Sequence, residues 1–139
     1  IAGMAKEKAE EVNIVNRTQN NAMKLSEFAE KIGLKTKIKN LEELNQEIEK
    51  FDMIINSTSI GLKNETSPIL FDRANQETIV YDIVYSPMNT DLIKKAKEKK
   101  LQVIYGYEML LGQATRAFEI WHEMEAPYNA MKKALLGGF

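Results

Sequence analysis

Short apolar runs and amphipathic stretches alternate along almost the whole chain. Val12 to Val15, Leu34 to Ile38, Met53 to Asn56, about Thr78 to Val84, and Leu101 to Tyr105 each read as a strand. Most are continuous apolar runs, which suit strands of a parallel sheet buried on both faces. The intervening stretches have helical spacing. Asn20 to Ile32 carries Met23, Phe28 and Ile32 among its apolar positions and stops at Gly33, a residue suited to a helix C′ position. Asn40 caps a helix over Leu41 to Lys50, with Glu43 placed to complete a capping box. Asn89 or Thr90 caps another that runs to Lys100. Glu108 to Glu123 is a long helix, and Pro127 opens a last one. The helix–strand alternation predicts an α/β fold, a parallel sheet with helices on both faces followed by C-terminal helices. No internal repeat or low-complexity linker marks a domain boundary.

Composition narrows the function classes. A length of 139 residues suits one domain with one core. With 44% hydrophobic and 28% charged residues and a net charge of −1, the chain has no global field for nucleic acid or an anionic membrane. No apolar run approaches the ~20 residues that span a bilayer. The absence of cysteine excludes disulfides, thiolate nucleophiles and Cys-based zinc sites. A cytoplasmic location follows as the default. Ile1 opens IAGMAKEKAEE in what reads as mid-helix, without an initiator Met or a targeting pattern. The chain is therefore expected to begin inside a larger protein.

Ligands of open α/β sheets bind at the carboxyl ends of the strands. Those ends carry Asn16-Arg17-Thr18, then Asn56-Ser57-Thr58-Ser59-Ile60-Gly61, then Ile83-Val84-Tyr85-Ser86-Pro87, then Gly106-Tyr107-Glu108-Met109. Amides, hydroxyls, glycines and one guanidinium suit a ligand rich in phosphate and ribose. NAD-binding sheets place an acid at the first of these positions, to accept from the ribose 2′-OH. An Arg accommodates a 2′-phosphate instead, because it pairs with phosphate oxygens where a carboxylate would repel them. Arg17, with the Thr18 hydroxyl beside it, points to NADP. The plain alternative is a surface Arg after an edge strand. Ser57 and Thr58 also fit an ordinary turn, and Gly61 a positive φ.

Asp82 lies inside an apolar strand and needs hydrogen-bond partners to be buried; bonds to loop amides are the structural reading. Leu110, Ala114, Phe118 and Trp121 recur at helical spacing and read as a core-facing stripe. Gln113, close to that stripe, would bond either a ligand hydroxyl or a backbone group. His122, the only histidine, sits among Glu119, Glu123 and Glu125 and reads as a local electrostatic contact. A lone His without Cys supports neither a metal site nor a Ser–His–Asp triad. The lysines from Lys94 to Lys100 read as a solvated helix face, so no nucleic-acid partner is expected.

The order NRT, INSTSIG, YDIVYSP, GYEMLLGQATRAFEIW resembles the shikimate dehydrogenases, over their C-terminal, NADP-binding Rossmann-like domain. The match runs from about residue 12 to residue 121. The resemblance implies that Asn16, Arg17 and Thr18 hold the 2′-phosphate region of NADP. Asn56, Ser57 and Thr58 would line the cofactor cleft. Ile83 would sit at the nicotinamide ring, and Gly106 would accept from its carboxamide. Tyr85 and Gln113 would reach the shikimate hydroxyls and carboxylate. The reaction implied is reversible hydride transfer between NADPH and 3-dehydroshikimate, a step of aromatic amino-acid biosynthesis.

The departures from the family pattern are specific. Asn21 stands where a basic residue is usual, with Lys24 one turn on as the candidate substitute; Ser59 replaces a frequent Pro and Leu62 a frequent Met. The glycine-rich loop and the N-terminal substrate domain, with its catalytic Lys and Asp, have no counterpart in these residues. No catalytic residue is therefore assigned, and the chain alone is expected to be inactive. Residues 1–139 are read as one NADP-binding domain incomplete at its start, with the helices of 108–139 packing toward the substrate domain. A second copy of the chain is a further candidate partner. The competing readings are a quinate/shikimate enzyme using NAD(P) and a non-catalytic dinucleotide-binding module.

Overall fold

Residues 1–137 are described by a computed structural model, and among them five strands and six helices mostly alternate, save that no helix separates the third and fourth strands and no strand the last two helices. The chain divides into two compact units, residues 1–47 and the residues from Ile48 onward. No shift in composition marks that division.

The first unit contains α1 (Ala2–Lys6), β1 (Glu11–Val15), α2 (Gln19–Lys31), β2 (Lys35–Lys39) and α3 (Leu41–Gln46). β1 and β2 pair in parallel, with Val12 opposite Thr36 and Ile14 opposite Ile38. α2 connects them and packs on both. It buries Ala22 and Ala29, two helical turns apart on one face, so only methyl groups separate the helix from what it covers. The larger Met23, Phe28 and Ile32 stay at least 40% exposed, because they lie off that alanine face. The helix ends as Gly33 predicts. Gly33 takes φ +78°, its N–H donates to Glu30 O, and the Leu34 N–H donates to Ala29 O, the double bond of a Schellman motif. Asn40 and Glu43 form the expected capping box at the start of α3: the Asn40 side chain accepts from Glu43 N at 2.9 Å, and Glu43 accepts from Asn40 N at 2.7 Å. α3 is shorter than its apolar pattern suggests; the chain tightens into a 3-10 turn over Ile48–Lys50.

The second unit contains β3 (Met53–Asn56), β4 (Ile79–Asp82), α4 (Asp91–Glu98), β5 (Gln102–Ile104), α5 (Gly106–His122) and α6 (Tyr128–Leu136). Its sheet has the order β3-β4-β5, with every pairing parallel. The core joins Ile48, Ile54, Phe71, Val80, Leu92, Ala96 and Leu101, side chains from the strands, α4 and their connections. Each fully buried Val, Leu, Ile or Phe there contributes about 1.5–3 kcal/mol of apolar transfer. β4 is shorter than the expected run. The Thr78 N–H donates to Asn75 O at 3.0 Å in a turn before the strand, and beyond Asp82 the Val84 N–H donates to the Asp82 side chain.

The helical stripe of α5 departs from its core-facing reading. Leu110 and Phe118 are half-buried, Ala114 is exposed, and Trp121 is 77% exposed. Gly106 and Leu111 are the buried residues of this helix. The core of the unit is filled by the sheet and α4, which leaves only the first turns of α5 to be covered. Positions 138 and 139 of the expected C-terminal helical span lie outside the described residues. Among the described residues no helix is long and apolar enough to cross a membrane.

Candidate functional site

In the first unit, β1 ends directly at Asn16-Arg17-Thr18, and α2 starts one residue later. The Asn16 side chain accepts from the Thr18 N–H at 2.8 Å, a local turn that fixes how the chain leaves the strand. Thr18 is the N-cap residue of α2 in extended conformation, yet its hydroxyl makes no capping hydrogen bond. The first backbone N–H groups of a 13-residue helix therefore face the same exposed corner as Arg17 and Thr18. Asn21 is the third residue of α2, in its first turn, with its N–H bonded back to Thr18 O at 3.0 Å, and its side chain is exposed, as is Lys24. A guanidinium, a hydroxyl and a helix N-terminus form a receptive set for a phosphate. A surface depression of this unit, about 380 Å³ and lined by Glu11, Glu30, Gly33, Leu34, Lys35 and Thr36, lies at the amino ends of β1 and β2. It is remote from the strand ends where such sheets take ligands.

In the second unit the strand ends are tied together by a buried polar network. Asn56 ends β3. Its amide donates to Ile60 O at 3.0 Å and to Asp82 Oδ1 at 2.9 Å. Its Oδ1 accepts from the Thr58 N–H at 3.1 Å and the Thr58 hydroxyl at 2.7 Å. All its hydrogen-bonding capacity is used inside the protein. Thr58 Oγ1 then accepts from Ile60 N at 3.1 Å, so Asn56 winds the loop 57–60 around itself. Asp82 ends β4 and is 0% exposed. Besides Asn56, its carboxyl accepts from Val84 N at 3.0 Å and from the Thr90 hydroxyl at 2.6 Å. These partners satisfy the structural reading of Asp82, and include a loop amide as anticipated. Thr90 also caps α4 by accepting from Ile93 N at 3.3 Å.

Two glycines close this group. Gly61 has φ +109°, and a Cβ there would lie 3.0 Å from the Thr90 methyl. Gly106 begins α5 against the turn after β4; a Cβ there would lie 2.5 Å from Ile83 O and 2.6 Å from the Val84 carbonyl carbon. Ile83 and Gly106, separately singled out from the sequence, are thus in direct contact. Ser57 and Thr58 are exposed at the mouth of the loop, while Asn56 lies beneath them. The loop that follows is held by Glu65, whose carboxylate accepts from Gly61 N at 3.0 Å and Lys63 N at 2.8 Å. The Lys63 N–H, then the Glu65 and Gly61 N–H groups, hold this carboxyl below its usual value.

Tyr85 is 44% exposed just past the turn. Gln113 is exposed on α5. His122 rests its ring against Phe118, with centroids 4.5 Å apart, rather than meeting its neighbouring carboxylates; Glu119 is paired with Arg116 at 3.3 Å. The Tyr81 hydroxyl is pushed up by burial and, less strongly, by the Glu108 carboxylate. Thr90, Gly61 and Glu65 were not among the sequence-predicted site residues. Their signal was indirect: an Asp in an apolar strand requires donors, and a Thr at a helix start close after it is a ready one.

A family model described as Shikimate / quinate 5-dehydrogenase matches residues 1–103. The chain belongs to this family. A second model, described as Shikimate 5'-dehydrogenase C-terminal domain, matches residues 106–136. Over 139 residues the chain is 60% identical to the shikimate dehydrogenase (NADP(+)) of Nitrosopumilus maritimus (strain SCM1), covering 100% of this chain and 51% of that protein. The structure of shikimate 5-dehydrogenase from Listeria monocytogenes in complex with shikimate and NAD matches with a TM-score of 0.84 at 31% identity, over 96% of this chain and 50% of that one. The shikimate 5-dehydrogenase of Thermus thermophilus in complex with NADP(H) and shikimate matches with a TM-score of 0.76 at 29% identity, over 96% of this chain and 48% of that one. The chain spans about half the length of the relatives it matches. The family fold is the α/β, parallel arrangement expected from the alternation of elements, Rossmann-like as the resemblance implies.

Proposed function

We propose that this shikimate / quinate 5-dehydrogenase family chain is the cofactor-binding part of an NADP-dependent shikimate dehydrogenase, which reversibly reduces 3-dehydroshikimate to shikimate in aromatic amino-acid biosynthesis. The observation that carries the reading is the exposed Arg17 and Thr18 at the N-terminus of α2, a phosphate-receiving corner where strict NAD sites carry an acid. When bound, NADPH supplies a hydride from its nicotinamide C4 to the ketone carbon of the substrate, and a proton reaches the ketone oxygen.

On this reading Arg17 and Thr18 bind the 2′-phosphate, with Asn16 shaping their turn and Asn21 and Lys24 at its flank. Ser57 and Thr58 line the cofactor cleft on the loop that Asn56 holds. Ile83 and the Gly106 backbone form the surface against which the nicotinamide is oriented. Tyr85 and Gln113 bind substrate oxygens. Proton transfer is assigned to no described residue; the family resemblance gives it to a Lys–Asp pair of a substrate domain in the whole protein. The exposure of Ile120, Trp121 and Met124, all 60% or more, supports packing of α5 and α6 toward such a domain. Homodimerisation is the other use of that surface, and sizing of the whole protein separates the two. A cytoplasmic site of action completes the proposal.

Absorbance at 340 nm tests the reading on the intact parent protein, given shikimate or quinate with NADP⁺ or NAD⁺. Reduced cofactor with shikimate and NADP⁺ is the expected result. Turnover only with quinate or NAD⁺ moves the activity to a quinate/shikimate enzyme, and no turnover from folded protein leaves a dinucleotide-binding module.

A further inference from the structure

We propose that Asp82 is a positioning residue for hydride transfer, its one carboxyl locking the 57–60 loop and the Ile83–Val84 turn into a single frame. This rests on the dehydrogenase reading and adds a role that the reading does not require.

The argument begins with what Asp82 costs. A fully buried carboxyl in a strand is expensive, and an apolar side chain of similar size would fill the same space at least as favourably. Val80, two residues earlier on the same strand, is 0% exposed and does so. The partners of Asp82 are all at the carboxyl end of the sheet, none in the core. Asn56 Nδ2 links it to the loop after β3, Val84 N to the turn after β4, and Thr90 Oγ1 to the start of α4. Three segments that meet at the ligand-binding end of the sheet therefore share one acceptor.

The Ile83–Val84 turn is bounded three times, first by the Ile83 N–H, which donates to Asn56 O at 3.1 Å. Asp82 holds it through Val84 N, and Gly106 presses on its carbonyls at distances that leave no room for even a methyl group. Ile83 cannot shift toward α5, and it cannot shift away without straining its own bond to Asn56 O and the Val84 bond to Asp82. A nicotinamide ring lying on Ile83 takes its position from this frame. Hydride transfer tolerates little misplacement; about 1 Å can cost a hundredfold in rate. Binding of the adenosine end, assigned to Arg17 and Thr18, has no share in it.

The test uses the intact protein with Thr90→Val, Thr90→Ser and Asp82→Asn. Thr90→Val keeps the shape and removes both the donor to Asp82 and the cap on Ile93 N, whose loss thermal unfolding reads; Thr90→Ser keeps both. For each variant kcat, KM for NADP⁺, and Ki for 2′-phospho-ADP-ribose, which lacks the nicotinamide, are measured, with thermal unfolding alongside. The expected result for Thr90→Val is a fall in kcat of about tenfold to a hundredfold. Its Ki stays within about twofold, and its primary isotope effect with 4-deuterated NADPH in the reverse direction grows. Thr90→Ser restores kcat, and Asp82→Asn lowers it at least as far as Thr90→Val. An unchanged kcat in folded Thr90→Val overturns the proposal. So does a parallel loss of kcat and Ki, or a Thr90→Ser no better than Thr90→Val. If Asp82→Asn fails to fold, the Thr90 pair decides alone. Absence of turnover from the wild-type protein overturns the dehydrogenase reading instead, which keeps the two failures apart.

Discussion

The strand ends of the two units use polar residues in opposite ways. At Asn16-Arg17-Thr18 the side chains are exposed, and the bond from Thr18 N to the Asn16 side chain shapes the turn without occupying the guanidinium. At Asn56 and Asp82 the side chains are buried, and their hydrogen bonds are spent within the protein. On the proposed function, the first arrangement would recognise a ligand with charge on side chains. The second would offer it backbone and loop shape, which Asn56 and Asp82 hold. A substitution in the first should change what binds; one in the second should change how well the chain folds and how accurately a ligand sits.

That contrast can be broken most sharply at Gly106. Gly106→Ala drives a methyl against the Ile83 and Val84 carbonyls. We expect a loss of about 3 kcal/mol in denaturant unfolding, since backbone cannot move aside as a side-chain end can. A loss below about 1 kcal/mol would mean that the frame around Ile83 is looser than the contacts indicate. Asn56→Ala comes next. It removes one donor to Asp82 and strips Thr58 of its acceptor, which should cost about 2 kcal/mol of stability, read from the unfolding midpoint. Arg17→Ala is the counter-test: affinity for NADP⁺ should weaken by about 2 kcal/mol, roughly thirtyfold, with NAD⁺ affinity and stability nearly unchanged. Isothermal titration calorimetry with each oxidised cofactor measures both. Equal losses for the two cofactors would remove the 2′-phosphate from Arg17.

The smallest effect belongs to Glu65. Its carboxyl is held below the usual value by backbone N–H groups of its own loop, so the stability it lends is fully present at neutral pH. It is lost as pH falls through that lowered value, in the acid range. Glu65→Gln should flatten that part of the acid-unfolding curve and leave the neutral region almost unmoved. An unaltered acid limb would show that the loop bonds carry no weight in solution.

Local chemistry made much of the fold legible. Gly33 predicted a left-handed stop, Asn40 and Glu43 a capping box, and Asn89 or Thr90 a cap, and each is found, the cap being Thr90. All of these devices act within a few residues. Burial of helix faces was harder to read. In α2 the pattern drew attention to Met23, Phe28 and Ile32, whereas Ala22 and Ala29 make the contact. In α5 a regular apolar stripe leads to a Trp that is mostly in solvent. Periodicity reports that a face is apolar and not what covers it. At the site, Arg17 could be read because its chemistry stands alone. The saturation of Asn56 could not, because its partner Asp82 is 26 residues away and the two meet only when β3 and β4 pair.

The cores of the two units carry a consequence for motion. In the first, the buried apolar side chains are Ile14, Ala22, Ala29, Leu34 and Leu44, two of them only alanine. In the second, Ile48, Ile54, Phe71, Val80 and Leu92 surround the middle strand, joined by Ala96 and Leu101. Amide protons of β1 should therefore exchange with solvent through shallow openings, and those of β4 only when the three-stranded sheet comes apart. A dinucleotide phosphate settling beside Arg17 would slow exchange in the strand that has the most freedom to lose, so that the unit with the thinner core gains the more from its ligand.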